Sequence, residues 1–190
     1  MTRFDFCMSG DLFDEYTNQI RLTGEVVTFD QNYLFLDTEG DTVSMELDRY
    51  VIQLPMSASL FEYLSKHPMN HVCINAVFVG QDIQIYYLSR NTDASKTNRA
   101  RVAGIVASLE VDPSLRHLQC GIMKSNRQQI IRYSWNYSDS APDIHVGGMI
   151  SSEGMLFHGA GEYYIQPRGF YFFDEQGNSV CHPRMGGANV

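Results

Sequence analysis

The chain has 190 residues and a mass of 21.6 kDa, room for one large or two small domains. At 44% hydrophobic and 19% charged it is too apolar and too weakly charged for a disordered protein. No apolar run approaches the ~20 residues of a membrane helix, and no basic segment leads into an apolar block as in a secretory leader. Cys7, Cys73, Cys120 and Cys181 are too far apart for a disulfide scaffold. These features predict a soluble, cytoplasmic, globular protein with no membrane partner. The formal charge of -8 is unevenly spread: residues 1–95 hold 5 Lys+Arg against 14 Asp+Glu, residues 96–190 hold 9 against 8. Such asymmetry between halves suggests two units with different partners.

After an N-terminal arm, 1–17, alternation of period two dominates, as in strands whose side chains point to opposite faces in turn. In Arg21–Phe29, Leu22, Val26 and Thr28 share one side. In Tyr33–Asp37, Leu34 and Leu36 oppose Tyr33, Phe35 and Asp37. In Thr42–Asp48, Val43, Met45 and Leu47 oppose Ser44, Glu46 and Asp48. The links 30–32 and 39–41 are turn-forming, so the three strands read as a meander. A helix over about 57–66 follows Pro55, with Ser57 or Ser59 as its cap and Leu60, Phe61 and Leu64 on one face. Strands at His71–Val79 and Ile83–Leu88 complete the first half.

Three strands, a helix and two strands within residues 18–90 resemble the OB-fold, a five-stranded barrel with a helix between strands three and four. Gly24 sits inside strand one, where a sharply coiled strand needs a missing side chain. The resemblance implies a binding fold and carries no catalytic motif. A polar linker, 91–98, then separates the first domain, 1–92, from a second, 99–190. An offset of 80 positions lays Arg21, Leu22, Thr23, Gly24 and Val26 on Arg101, Val102, Ala103, Gly104 and Val106, where a second barrel would begin. Strands follow at 101–111, 117–124 and 128–137. Beyond a loop through Asp139, Ala141 and Pro142 come Ile144–Ile150, Met155–His158, Glu162–Gln166 and Phe170–Asp174. The fold class is all-β with one short helix: two tandem OB-like domains, the second an irregular barrel or a sandwich.

Single-stranded nucleic acid requires cations for phosphates and aromatic faces for bases. In the first domain Tyr33 and Phe35 stand beside the carboxylates Asp37, Glu46 and Asp48, which suits a protein partner better. The segment 96–132 is basic, with Lys96, Arg99, Lys124, Arg127 and Arg132 among its cations, and Tyr133, Trp135 and Tyr137 alternate just after it. These residues predict a single-stranded DNA or RNA site. The phase that exposes Arg132 would bury Tyr133 and Trp135, so the aromatics serve either as core or as stacking platforms. Phe170–Phe173 must point both ways, and Tyr171 and Phe173 either meet a partner, a second copy included, or pack internally.

His117-x-x-Cys120 with Cys181-His182 has no zinc-ribbon or knuckle spacing, and no phosphate loop, nucleophile elbow or zinc-protease helix is present. The chain therefore reads as non-enzymatic, with no cofactor and no metal. Two roles remain open: single-stranded nucleic-acid binding through the second domain with a protein partner on the first, or an adaptor subunit of a larger assembly.

Overall fold

A computed structural model describes residues 2–3, 18–40, 50–80, 82–124, 127–134, 143–173 and 179–183. After the short strand β1 (Thr2–Arg3) come β2 (Asn18–Phe29), β3 (Tyr33–Thr38), β4 (Tyr50–Pro55), the helix α1 (Ala58–Lys66), β5 (His71–Val79) and β6 (Asp82–Arg90). The second set is β7 (Thr97–Asp112), β8 (His117–Lys124), β9 (Arg127–Ser134), β10 (Met149–Gly159), β11 (Glu162–Phe173) and β12 (Ser179–Pro183). The fold is all-β and OB-like, as expected.

The second set closes into a ring: β7 pairs with β8, β8 with β9, β9 with β11, β11 with β10, and β10 with β7 again. Only the β9–β11 contact is parallel, through Tyr164↔Ile130 and Ile165↔Ile131. This is the OB connectivity, and a closed barrel replaces the sandwich alternative. The first set repeats the order as β4-β3-β2-β5-β6, with α1 between its third and fourth strands. Ser57 is the helix cap, its hydroxyl accepting from the Leu60 amide, while Leu60 and Leu64 face the core.

The barrels are fused through their first strands. β2 and β7 form an antiparallel ladder from Asn18↔Val102 to Thr23↔Thr97. Ile20, Leu22, Ala100 and Val102 are buried on its inner face, so both cores lie on one side of it. Beyond the last backbone pair with β5, the buried Asn18 side chain continues the ladder: its amide donates to the Phe78 carbonyl at 3.2 Å and accepts from the Phe78 amide at 2.9 Å. Asn98, 80 positions on, does the same to Leu156 of β10, at 2.9 and 2.8 Å. The bulges repeat too, at Val26/Thr28 against β3 and at Val106/Ser108 against β8. The internal repeat is thus structural, and Ile20↔Ala100 lies on its pseudo-twofold.

Four details depart from the sequence reading. Thr28 does not share the side of Leu22, because the bulge after Val26 shifts the phase, exposing Val27 and Thr28 and turning Phe29 inward. The strand that pairs with β3 is Tyr50–Pro55, and the expected strand Thr42–Asp48 lies outside the described residues. Met155–His158 and Glu162–Gln166 are not separate short strands but parts of two long ones, β10 and β11, that bend at a bulge between Glu153 and Gly154. β7 starts at Thr97, inside the expected linker.

Gly24 and Gly154 are where strands approach too closely for a side chain: a Cβ would fall 2.1 Å from the Asp37 carbonyl oxygen in one case and 2.1 Å from that of Gln166 in the other. Backbone occupies both spaces, so Gly24→Ala is expected to cost about 1–3 kcal/mol of unfolding free energy in urea. Asn98→Ala strands the buried Leu156 amide and carbonyl and is expected to cost about 2–4 kcal/mol in the same titration.

Candidate nucleic-acid interface

OB barrels present ligands on the face of their second and third strands and on the loop joining the fourth and fifth. Here those are β8, β9 and the 159–161 hairpin. Arg132 lies on that face, opposite Gln119 in the β8–β9 ladder, where alternation against the buried Ile131 turns it outward. Its Nε donates to Gln119 Oε1 at 3.1 Å and an Nη reaches Glu162 Oε2 at 3.4 Å. Its guanidinium carbon stands 4.2 Å over the ring centre of Tyr164, a cation–π arrangement. The Arg132 side chain keeps 26% exposure and Glu162 33%, so their ion pair is weak and solvent-screened.

A row of rings continues from Arg132. Tyr164 stacks on Phe157 at 5.7 Å, and Phe157 meets Tyr50 of the first barrel at 4.9 Å. The Tyr50 hydroxyl accepts from the His158 amide at 2.9 Å, and His158 stacks on Tyr163 at 4.4 Å. Tyr163 donates to the Gln53 carbonyl of β4 at 2.6 Å. Burial raises the phenol pKa of both Tyr50 and Tyr163, with Asp82 adding to the rise at Tyr163, so both stay protonated and able to donate. The row lines the seam between barrels, half-buried except for Tyr163, which is buried. Sequence reading missed Tyr50 and Phe157, because the contact between β4 and the β10–β11 hairpin spans 108 positions and has no local signature.

The other expected residues fall at distinct places. Lys96 pairs with Asp37 at 3.0 Å, and Asp37, expected on an exposed carboxylate row, is fully buried. Arg99 is exposed on β7. Lys124 and Arg127 form the last register pair of the β8–β9 hairpin, at the barrel rim, and Tyr133 registers with the buried Leu118. Trp135 lies outside the described residues. On the first barrel Tyr33 is 40% exposed and Phe35 half-buried. Tyr171 and Phe173 register with Ser151 and Met149. Cys120 is a buried core thiol whose pKa burial pushes up to about 12. Among the described residues no three His, Cys, Asp or Glu side chains gather as a metal site, and no helix is long and apolar enough to cross a membrane.

No protein-family model matches the sequence, and no curated protein matches it. Among solved structures the chain is similar to the wild-type single-stranded DNA binding protein from Thermus aquaticus, with a TM-score of 0.56, 9% identity, and coverage of 91% of this chain and 95% of that one. It is equally similar to a deletion mutant of that protein, at a TM-score of 0.56 and 8% identity, covering 90% and 96%. At this identity the likeness establishes a shared fold.

Removing the Lys96 ammonium takes from the buried Asp37 carboxylate the ion pair that Lys96 makes with it. Lys96→Ala is expected to cost about 2–3 kcal/mol in chemical unfolding, below the value for a fully buried pair because Lys96 itself is 31% exposed. In peptide mapping after thiol alkylation near pH 8, Cys120 is expected to stay unlabelled in the folded chain and to react once unfolded.

Proposed function

We propose that this chain is a non-enzymatic binder of single-stranded nucleic acid, with DNA as the principal ligand, and that the closed second barrel carries the site. The observation that supports this reading most is the position of Arg132: a part-exposed guanidinium on the second-and-third-strand face, poised over Tyr164 at the base of the fourth-to-fifth-strand hairpin. An incoming phosphate competes with Glu162 for the guanidinium at small cost, because that contact is long and solvated. Lys124 and Arg127, the last register pair of the β8–β9 hairpin, are the further cations of this site in the sequence, and the stacked rings beside Arg132 offer aromatic surface for bases. The fold shared with single-stranded DNA binding proteins supports the same reading.

In this reading the first barrel serves a protein partner. Tyr33, Phe35 and the 48% exposed Val51 share one side of β3 and β4 and offer it apolar area. Tyr171 and Phe173 provide a second docking edge, for a partner or for another copy of the chain. The protein acts by holding or protecting a strand reversibly, in the cytoplasm.

The test is fluorescence anisotropy of a labelled single strand of about 30 nucleotides, a span suited to two barrels. Binding is expected to fall with salt, and Arg132→Gln to lower affinity about tenfold and the slope of log K against log salt by about 0.7, the value of one single-strand phosphate contact. Lys66→Gln, on the exposed helix face, is expected to change neither. Absence of binding at micromolar protein and low salt would refute this function and favour an adaptor subunit.

A further inference from the structure

The outer face of the fused β2–β7 ladder carries charges that the fold does not use. Arg21 and Arg99 are register partners, and Arg101 stands beside Gln19 in the next outward row. All four side chains are exposed, because the inner positions between them, Ile20, Ala100 and Val102, are buried. Two arginines directly opposite each other across an antiparallel pair repel, and the repulsion falls on the central strand pair of the molecule. Among the described residues, Arg21, Arg99 and Arg101 enter no ion pair and no side-chain hydrogen bond. Glu153 registers with Arg101 across the β7–β10 ladder, yet the two do not form an ion pair.

The row does not stop at the arginines. Arg21 registers with Asn75 of β5, and Asn75 with Tyr87 of β6, both half-buried on the same outward side. One straight line of partners, Tyr87–Asn75–Arg21–Arg99, therefore crosses four strands and the junction between barrels, offering a ring, an amide and two guanidinium groups. The internal repeat brings Arg21 of the first barrel and Arg101 of the second to equivalent places about the pseudo-twofold, while Arg99 is matched by Gln19, so cations stand on both sides of the seam, one on β2 and two on β7. Positive charge on both sides of a seam, with polar and aromatic groups in line, suits an extended polyanion rather than a compact anion.

We infer that the outer face of the β2–β7 ladder is a second phosphate-contact surface, taking the backbone of a single strand that extends beyond the Arg132 face of the second barrel. This inference rests on the proposed function and adds to it the course of the strand. The like-charge pair Arg21↔Arg99 is then relieved when phosphates lie over it. A surface for a second copy of the chain is the competing use, since the acidic half of another molecule would also neutralise these arginines.

The experiment compares the full chain with a triple variant, Arg21→Gln, Arg99→Gln, Arg101→Gln, against labelled oligothymidylates of about 10 and about 40 nucleotides, one barrel's footprint and more than two. Circular dichroism and a thermal melt establish that the variant is folded, and exposed Gln in strands preserves the ladder. The expected result is unchanged affinity for the short strand, together with at least tenfold weaker binding of the long strand and a salt slope smaller by about 2, the contribution of three single-strand phosphate contacts. Equal binding of the long strand by the two proteins overturns this inference and leaves the proposed function standing. A sedimentation velocity shift from a larger species to monomer in the triple variant, with the long-strand slope unchanged, also overturns it and assigns the face to self-association. If the unaltered chain binds neither strand, the proposed function and this inference fall together.

Discussion

The antiparallel ladder between β2 and β7 has almost no freedom of register, and the rest of the molecule is arranged around it. Each strand serves two masters, a barrel of its own and the first strand of the other barrel, and both must be satisfied by one backbone. Where the barrel pairing ends, Asn18 and Asn98 supply side-chain amides that behave as one more peptide unit toward Phe78 and Leu156. A slip by one residue would turn these amides outward, bury Arg21 or Arg99, and expose Ile20 and Ala100. A buried polar group left without its partner costs about 1–3 kcal/mol, so four such bonds make any other register expensive. Specificity of assembly here comes from hydrogen-bonding geometry more than from apolar area, which every neighbouring register would also bury in part.

That fixed ladder is also what places the candidate site. With the first strands locked together, the β10–β11 hairpin of the second barrel reaches β4 of the first, and Tyr50, Phe157, Tyr163 and Tyr164 meet in the seam. Arg132 closes the row from the far side, held by Gln119 and Tyr164 in a fixed orientation. A guanidinium whose pose is set beforehand loses less freedom on meeting a phosphate than one on a mobile surface chain. The cost of this arrangement is that Arg132 is both part of the seam and part of the surface, so changes there act on stability as well as on contact with ligand.

Much of the architecture was legible in the amino-acid order, and the part that was not has a common physical cause. The OB element order followed from period-two runs and one capped helix, and the repeat from five aligned residues around Gly24 and Gly104. The same offset also matches Asn18 to Asn98, yet nothing local marks an asparagine as a surrogate peptide, because its partner is 60 positions away in one case and 58 in the other. Asp37 was correctly phased with Tyr33 and Phe35, but it is buried and paired with Lys96, brought in from 59 positions away, which no local pattern marks. Met155–His158 read as a short strand of its own, whereas it continues one long strand that passes close to another's backbone at Gly154. Period and turn chemistry are local and survive in a sequence; which strands cross, and what covers a face, are long-range and do not.

Hydrogen–deuterium exchange of the full chain, with and without a single strand of about 30 nucleotides, tests the central claim most directly, because it reports binding and its location together. Addition of DNA is expected to slow exchange in peptides covering β8, β9 and the β10–β11 hairpin and to leave α1 and β3 unchanged. Protection confined to β3, β4 and α1, or no change anywhere at saturating strand, would contradict that claim.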